Sequence, residues 1–327
     1  MASAMAEGSS GQGGERKGPV VVLLVGMAGS GKTTLVQRLA AELHSQRKAP
    51  YVVNLDPAVH SLPYEANVDA RDTVDYAQVM SEYGLGPNGG ILTACNLFAT
   101  RFDQVMDILA KRERELDYVL VDTPGQIETF TWSASGEIVL QALAARYTTT
   151  VSFVLDSGRC SNPQRFMSNM LQAVSVAYRS KLPVMLSFNK VDSTRHEFAL
   201  EWMRDLDAYQ EALHEVNTYA TDLSFSLALV LDQFYRELRT VGTSAFTGEG
   251  VNDFFASVND AAREFEHDIR PEIEKAQREE AHRQSLRNQA AAAEQNGQNC
   301  NTEAEGKTEH QQQHETQRSK QKAEHDR

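Results

Sequence analysis

The chain has 327 residues, a formal net charge of −13 and a hydrophobic fraction of 41%. That length accommodates one large domain or two smaller ones with a sizeable core. So acidic a balance excludes a chain that holds nucleic acid or an anionic membrane by general attraction, leaving only a local basic patch for such contacts. Cys95, Cys160 and Cys300 stand far apart with no C-x-x-C pair, which suits a reducing compartment and no structural zinc.

Residues 1–18, MASAMAEGSSGQGGERKG, are small, polar and rich in Gly and Ser, without the apolar stretch of a signal peptide. We expect a disordered leader there, and a soluble intracellular chain with no transmembrane segment. PVVVLLV (19–25) then reads as a buried strand, and YVVN (51–54), YVLV (118–121), TTVSFVLD (149–156) and PVMLSFN (183–189) read likewise. Helical stretches between them predict right-handed βαβ units and an α/β fold with a doubly wound, mostly parallel sheet. In such sheets ligands sit at the carboxyl ends of the strands. Four of the five strand ends carry an interpretable motif.

Between about 194 and 240 the alternation lapses. Phe198, Trp202 and Leu206, then Leu227, Leu231, Phe234 and Leu238, recur at helical spacing. This predicts a helical insertion whose aromatic residues pack in a core; a peptide-binding groove is the alternative. The main domain runs from 19 to 271. Beyond Ile273 the only large aliphatic residue is Leu286 and no aromatic follows, so 272–327 cannot bury enough apolar surface to offset the entropy of ordering. We expect a polar, largely disordered tail, with EIEKAQREEAHRQ extending the last helix.

GMAGSGKT (26–33) fits G-x-x-x-x-G-K-[ST] directly after a strand. The backbone from Gly26 through Gly29, Ser30 and Gly31 to Thr34 would cradle phosphates. Lys32 would reach the β- and γ-phosphates, and the Thr33 hydroxyl would ligate Mg²⁺. DTPGQ (122–126) closes the YVLV strand: Asp122 would hold the Mg²⁺ through a water, Gly125 would donate to the γ-phosphate, and Gln126 would orient an attacking water, with Glu128 assisting. NKVD (189–192) ends PVMLSF. Asn189 suits guanine O6 and N7, the Asp192 carboxylate accepts from N1 and the 2-amino group, and the Lys190 stem can lie along the purine. Adenine would leave that carboxylate unpaired, a loss worth roughly 10⁴-fold in discrimination. In TSAFTGEG (243–250) the Ala245 N–H is a further donor to O6. Together these motifs predict GTP.

GLGPNGG (84–90) holds four glycines and a proline, a composition that cannot form helix interior. It reads as a loop, with Asn88 at its tip. Lys32 and Asp122 lie 90 positions apart, which leaves room for an extra strand and helices and resembles the signal-recognition and MinD-related P-loop class. Nucleotide often sits at a dimer interface in that class. MinD-type members carry a crossing lysine second in the P-loop, where this chain has Met27.

With NLDPAV (54–59), PYEANVDARDTV (63–74), GPNGG (86–90), DTPGQIE (122–128) and NKVD (189–192), the chain resembles the GPN-loop GTPases over about residues 20–270. ILTACNLFATRFDQV (91–105) and the polar tail look most similar to the first of the three eukaryotic paralogues. The resemblance implies that Asn88 enters the other subunit's site and bonds the phosphate region in trans, and that Asp56, Gln126 and Glu128 position water or metal. Asp56 precedes Pro57, so a turn role is its alternative. Asp69, Arg71 and Asp72 are expected to pair with each other or across subunits. The resemblance further implies a small GTPase that switches in assembly and nuclear import of RNA polymerase II, in the cytoplasm and shuttling to the nucleus. Its partners would be a second GPN-loop paralogue or itself, and polymerase subunits, with no direct nucleic acid and no membrane. A GTP-gated scaffold or chaperone with incidental hydrolysis and a P-loop phosphotransferase are the rival readings.

Overall fold

The computed structural model describes residues 18–216, 221–285 and 287. The expected leader before Gly18 and the tail after 287 lie outside the described residues. The chain divides into two compact units, Met1–Pro271 and Glu272–Arg327. In the second, residues 272–285 are helical with mostly exposed side chains.

Among the described residues the first unit has seven strands: β1 (Val20–Val25), β2 (Pro50–Asn54), β3 (Val68–Asp69), β4 (Tyr118–Asp122), β5 (Thr148–Asp156), β6 (Val184–Asn189) and β7 (Arg239–Thr243). Their order across the sheet is β3-β2-β4-β1-β5-β6-β7, and every pair is parallel. β1 lies centrally and is buried at all six positions, which is why it reads as an unbroken apolar run.

The helices are α1 (Lys32–Ser45), α2 (Ala70–Thr73), α3 (Tyr76–Tyr83), α4 (Pro87–Ala99), α5 (Phe102–Arg112), α6 (Ile127–Thr131), α7 (Ala134–Arg146), α8 (Ser157–Cys160), α9 (Pro163–Ser180), α10 (Glu197–Arg204), α11 (Leu206–Val216), α12 (Thr221–Glu237) and α13 (Val251–Glu264), with a π-helical turn over Phe265–Ile269. α1 and α13 cover one face: Val20, Val22 and Leu24 of β1 join Leu35, Leu39 and Leu43 of α1 and Phe254, Phe255 and Val258 of α13 in one buried cluster. Val21, Leu23 and Val25 alternate to the opposite side, where α7 and α9 pack on β5 and β6. β2, β3 and helices α2 to α5 fill the interval between Lys32 and Asp122, as the spacing predicted.

α10 to α12 form the insertion, and β7 then returns the chain to the sheet. Phe166 of α9 packs edge-on against Trp202 and beside Tyr209 and Tyr235, so the insertion's aromatics build a core. The buried stripe of α12 is Ser224, Ala228, Leu231 and Tyr235, rotated from the leucine stripe read in the sequence because the aromatic cluster, rather than the leucines, faces α9.

Pro87, Asn88, Gly89 and Gly90 form the opening turn of α4, capped by Gly86, instead of a loop. Proline at the first helical position costs no hydrogen bond and presets φ. Gly90 is buried, and a Cβ there would stand 2.5 Å from Met80 Cγ and 2.9 Å from Tyr76 Cε2. Close packing of α4 on α3 therefore demands the glycine that helix propensity disfavours.

Candidate functional site

The phosphate loop leaves β1 at Gly26 and enters α1 at Lys32. Gly31 caps the helix at φ 91, and a Cβ on it would lie 2.5 Å from Asn189 Nδ2. Lys32 is 5% exposed, and its Nζ donates to the carbonyls of Gly26 at 2.8 Å and Met27 at 3.3 Å. Burial pushes its pKa down, opposed by the charges of Asp122 and Asp56. A buried ammonium tied to its own loop's carbonyls favours an incoming anion. Ser30 is buried with an unpartnered hydroxyl. Thr33 is half-buried and Thr34 exposed.

Asp122 ends β4 at 1% exposure. Its Oδ2 accepts from Tyr64 Oη at 2.9 Å, while Oδ1 meets no hydrogen-bond partner among the described residues. Burial pushes this carboxyl's pKa up; the hydroxyls of Thr33 and Tyr64 and the charge of Lys32 pull it back, and Asp56 adds to the rise. A free buried carboxylate oxygen near a threonine hydroxyl is a hard-oxygen donor set that fits a small divalent cation. Among the described residues no group of three or more His, Cys, Asp or Glu gathers to hold a metal. The arrangement thus suits a cation that completes its shell with phosphates and water.

Asp56 is half-buried beyond β2. Its Oδ1 accepts from Ala58 N at 3.0 Å and its own N–H donates to Asn54 Oδ1 at 3.1 Å, so it shapes the turn before Pro57 while its charge reaches Lys32 and Asp122. Asn54 also donates to Asp69 at 2.9 Å. Arg71 forks onto Asp69 at 2.6 Å within the same chain, and Asp72 is outside that pair.

Gln126 caps α6 directly after Gly125, and Glu128 sits exposed in that helix's first turn. The Gln126 Nε2 donates to Asn88 Oδ1 at 2.6 Å. Residues 38 positions apart in sequence, the glutamine that caps α6 and the asparagine opening α4, therefore meet at an exposed position.

On the base side Asn189, 1% exposed, donates through Nδ2 to Ser30 O at 3.0 Å and Gly31 O at 3.4 Å, and its Oδ1 accepts from Ala245 N at 3.1 Å. Both groups were expected on the guanine edge; here they bond each other and brace the phosphate loop against the loop after β7. Asp192 is exposed and accepts from the Ser244 hydroxyl. Arg38 of α1 holds the carbonyls of Ala245 and Phe246. Lys190 donates to Gly29 O at 2.8 Å.

Three residues escaped the sequence reading: Tyr64, Asp156 and Arg159. Tyr64 lies in the PYEANVDARDTV stretch that carried the resemblance, but nothing local there pairs it with Asp122. Asp156 offered one signal, its place at the carboxyl end of a buried strand.

Converging at the carboxyl ends of a parallel sheet, these groups define a P-loop nucleotide-binding protein. A family model described as "Conserved hypothetical ATP binding protein" matches residues 24–264. GPN-loop GTPase 1 of Dictyostelium discoideum is 49% identical over 81% of this chain and 67% of its own length. GPN-loop GTPase QQT2 of Arabidopsis thaliana is 54% identical over 74% and 64%. GPN-loop GTPase PAB0955 of Pyrococcus abyssi is 30% identical over 72% of this chain and 94% of its own length. The apo crystal structure of PAB0955 superposes with a TM-score of 0.65 at 28% identity, covering 74% of this chain and 97% of that one. The chain belongs to the GPN-loop GTPases, a family of GTP hydrolases, and within them to the GPN-loop GTPase 1 group. Paralogous GPN-loop GTPases also match, among them the GPN-loop GTPase 2 homolog of D. discoideum at 30% identity over 58% of this chain.

Proposed function

We propose that the chain binds GTP with Mg²⁺ and hydrolyses it by water attack on the γ-phosphate, at a site completed by the α4 turn of a second GPN-loop subunit, either a copy of itself or a paralogue. The observation that carries the hydrolytic part of the reading is the bond, within one chain, between Gln126 and Asn88; completion of the site by a second subunit rests on the family resemblance. The bond consumes one Gln126 N–H and the Asn88 carbonyl. The Gln126 carbonyl remains to accept from a water, and the Asn88 amide to donate to a phosphate oxygen. Those are the polarities that in-line attack requires.

Thr33 and Asp122 would hold the Mg²⁺, which supplies charge neutralisation to the phosphates when bound. Lys32 stabilises charge on the β- and γ-phosphate oxygens, and Gly125 donates its N–H there. Asp56 and Glu128 flank the water side. No residue transfers a group covalently, so rate comes from positioning and electrostatics. Since Asn88 and Gln126 share an exposed face, a two-fold interface through it lets the same pair exchange partners between subunits.

By similarity to GPN-loop GTPase 1 proteins, the switch serves assembly and nuclear import of RNA polymerase II, and the chain shuttles between cytoplasm and nucleus. Among the described residues no helix is long and apolar enough to cross a membrane.

Hydrolysis measured with GTP and ATP, with and without Mg²⁺, tests the chemistry. GTP turnover that needs Mg²⁺ and is lost in Lys32→Ala is expected. Equal turnover of ATP would contradict the guanine reading, and transfer of the γ-phosphate to an added acceptor in place of water would contradict hydrolysis.

A further inference from the structure

β5 is the strand whose end carried no motif. It closes on Asp156, paired in register with Asn189 of β6, so the carboxylate stands beside the start of the NKVD turn. Its Oδ1 accepts from Arg159 N at 3.3 Å and caps α8. Its Oδ2 accepts from Lys190 Nζ at 2.7 Å and lies 3.6 Å from Arg159 Nε. Each cation has a second partner on the phosphate loop: Lys190 Nζ donates to Gly29 O at 2.8 Å, and Arg159 Nη1 to Ala28 O at 3.0 Å. One carboxylate thus gathers two cations that grip two consecutive carbonyls of that loop.

Lys190 has φ 67, a left-handed backbone that a residue with a Cβ rarely adopts. An unheld lysine would spread over many rotamers in solvent. Here the ammonium is fixed at the phosphate loop while the backbone stays in the base-reading turn, so the stem spans the two.

We infer that Asp156 is a positioning residue of the guanine-nucleotide site: it fixes the Lys190 ammonium so that the lysine stem forms a ready-made face for the purine, and it ties the base-reading turn to the phosphate loop. The inference rests on the guanine-nucleotide reading above. Asp156 touches no part of the nucleotide and acts through Lys190. Without its charge, Lys190 keeps the Gly29 carbonyl alone and must be ordered when nucleotide binds. Loss of one charge-assisted bond corresponds to about tenfold in affinity or more.

The test is a double-mutant cycle on GDP release, followed with a fluorescent GDP analogue on the full chain. Asp156→Asn keeps the Oδ1 acceptor that caps α8 and removes the charge. Lys190→Met keeps an apolar stem and removes the ammonium. The expected result is release about tenfold faster in each single variant, with Asp156→Asn adding less than twofold in the Lys190→Met background, because both changes break one link. Effects that multiply fully in the double variant, or an Asp156→Asn release rate equal to wild type, would overturn the inference. Should Asp156→Asn fail to melt cooperatively, Lys190→Met alone decides: unchanged release means that the ammonium link does not hold the base. Wild-type protein that binds no guanine nucleotide would remove the functional reading itself, whereas binding with an additive cycle removes only the role of Asp156.

Discussion

Gly89 and Gly90 are adjacent in the first turn of α4, yet the structure treats a methyl group at each very differently. At Gly89 a Cβ would rest 3.5 Å from Leu85 Cδ2, an ordinary contact. Alanine there should stabilise by up to about 1 kcal/mol through helix propensity. At Gly90 the same atom would meet Met80 Cγ at 2.5 Å and Tyr76 Cε2 at 2.9 Å. Met80 can bend away, but Tyr76 is anchored by its hydroxyl to Pro87 O at 3.1 Å, so α4 must move too. Overpacking of this kind costs about 1–3 kcal/mol, which the propensity gain offsets only in part. The two variants should differ by about 1–3 kcal/mol, and a domain of this size shifts by about 2–4 °C per kcal/mol. Thermal melts of Gly89→Ala and Gly90→Ala under one condition provide the assay. Gly90→Ala should melt at least about 2 °C below Gly89→Ala. It should also hydrolyse GTP about tenfold slower or worse, since a displacement near 1 Å moves Asn88 from Gln126. A Gly90→Ala protein that melts at or above Gly89→Ala would refute the claim that packing on α3 sets the geometry of this turn.

Tyr64→Phe removes the hydroxyl donor from a buried Asp122 carboxylate, and should destabilise the nucleotide-free protein by about 1–3 kcal/mol; melts with and without GDP and Mg²⁺ should show the deficit shrinking when the cation binds. GDP with Mg²⁺ at a hundred times its dissociation constant should add about 2.7 kcal/mol to stability, and ATP at the same concentration distinctly less, read as a difference in Tm. His196 is stacked on Phe188 with an unpartnered Nδ1, and burial holds its pKa below the usual 6.5. Between that lowered value and 6.5 the unfolded chain binds more protons, so this group's contribution to stability is full above 6.5 and is lost as pH falls through the window. Melts from pH 7.5 to 5.5 should fall less steeply in His196→Asn than in wild type.

Much of this architecture was legible because its signals are local. The central strands are contiguous apolar runs, and the phosphate loop, DTPGQ and NKVD each occupy a strand end where a short motif is enough. β3 has two residues, and β7, RTVGT, carries a single aliphatic residue at the sheet's edge, so neither has a periodicity to read. The opening of α4 was misread because glycine propensity argued for a loop, while the deciding contact, Gly90 against Met80 and Tyr76, is tertiary. Proline at the first helical position was the overlooked local clue. The pairs Tyr64 with Asp122, Asp156 with Lys190 and Gln126 with Asn88 join segments between 34 and 58 positions apart. No one-dimensional pattern encodes such contacts; only the sheet order brings them together.

Whether Asn88 serves the site of another subunit is tested most directly by a mixing experiment. Asn88→Ala retains its own phosphate loop, and Lys32→Ala retains its own Asn88. Each is assayed alone for GTP hydrolysis and then mixed in equal amounts, at a concentration where light scattering shows dimers. Two nearly inactive proteins are expected, and their mixture should recover about a quarter of the wild-type rate per site, because half of the dimers are mixed and each has one complete site. A mixture no faster than the sum of its parts, with dimers present, would mean that Asn88 acts only on the Gln126 of its own chain.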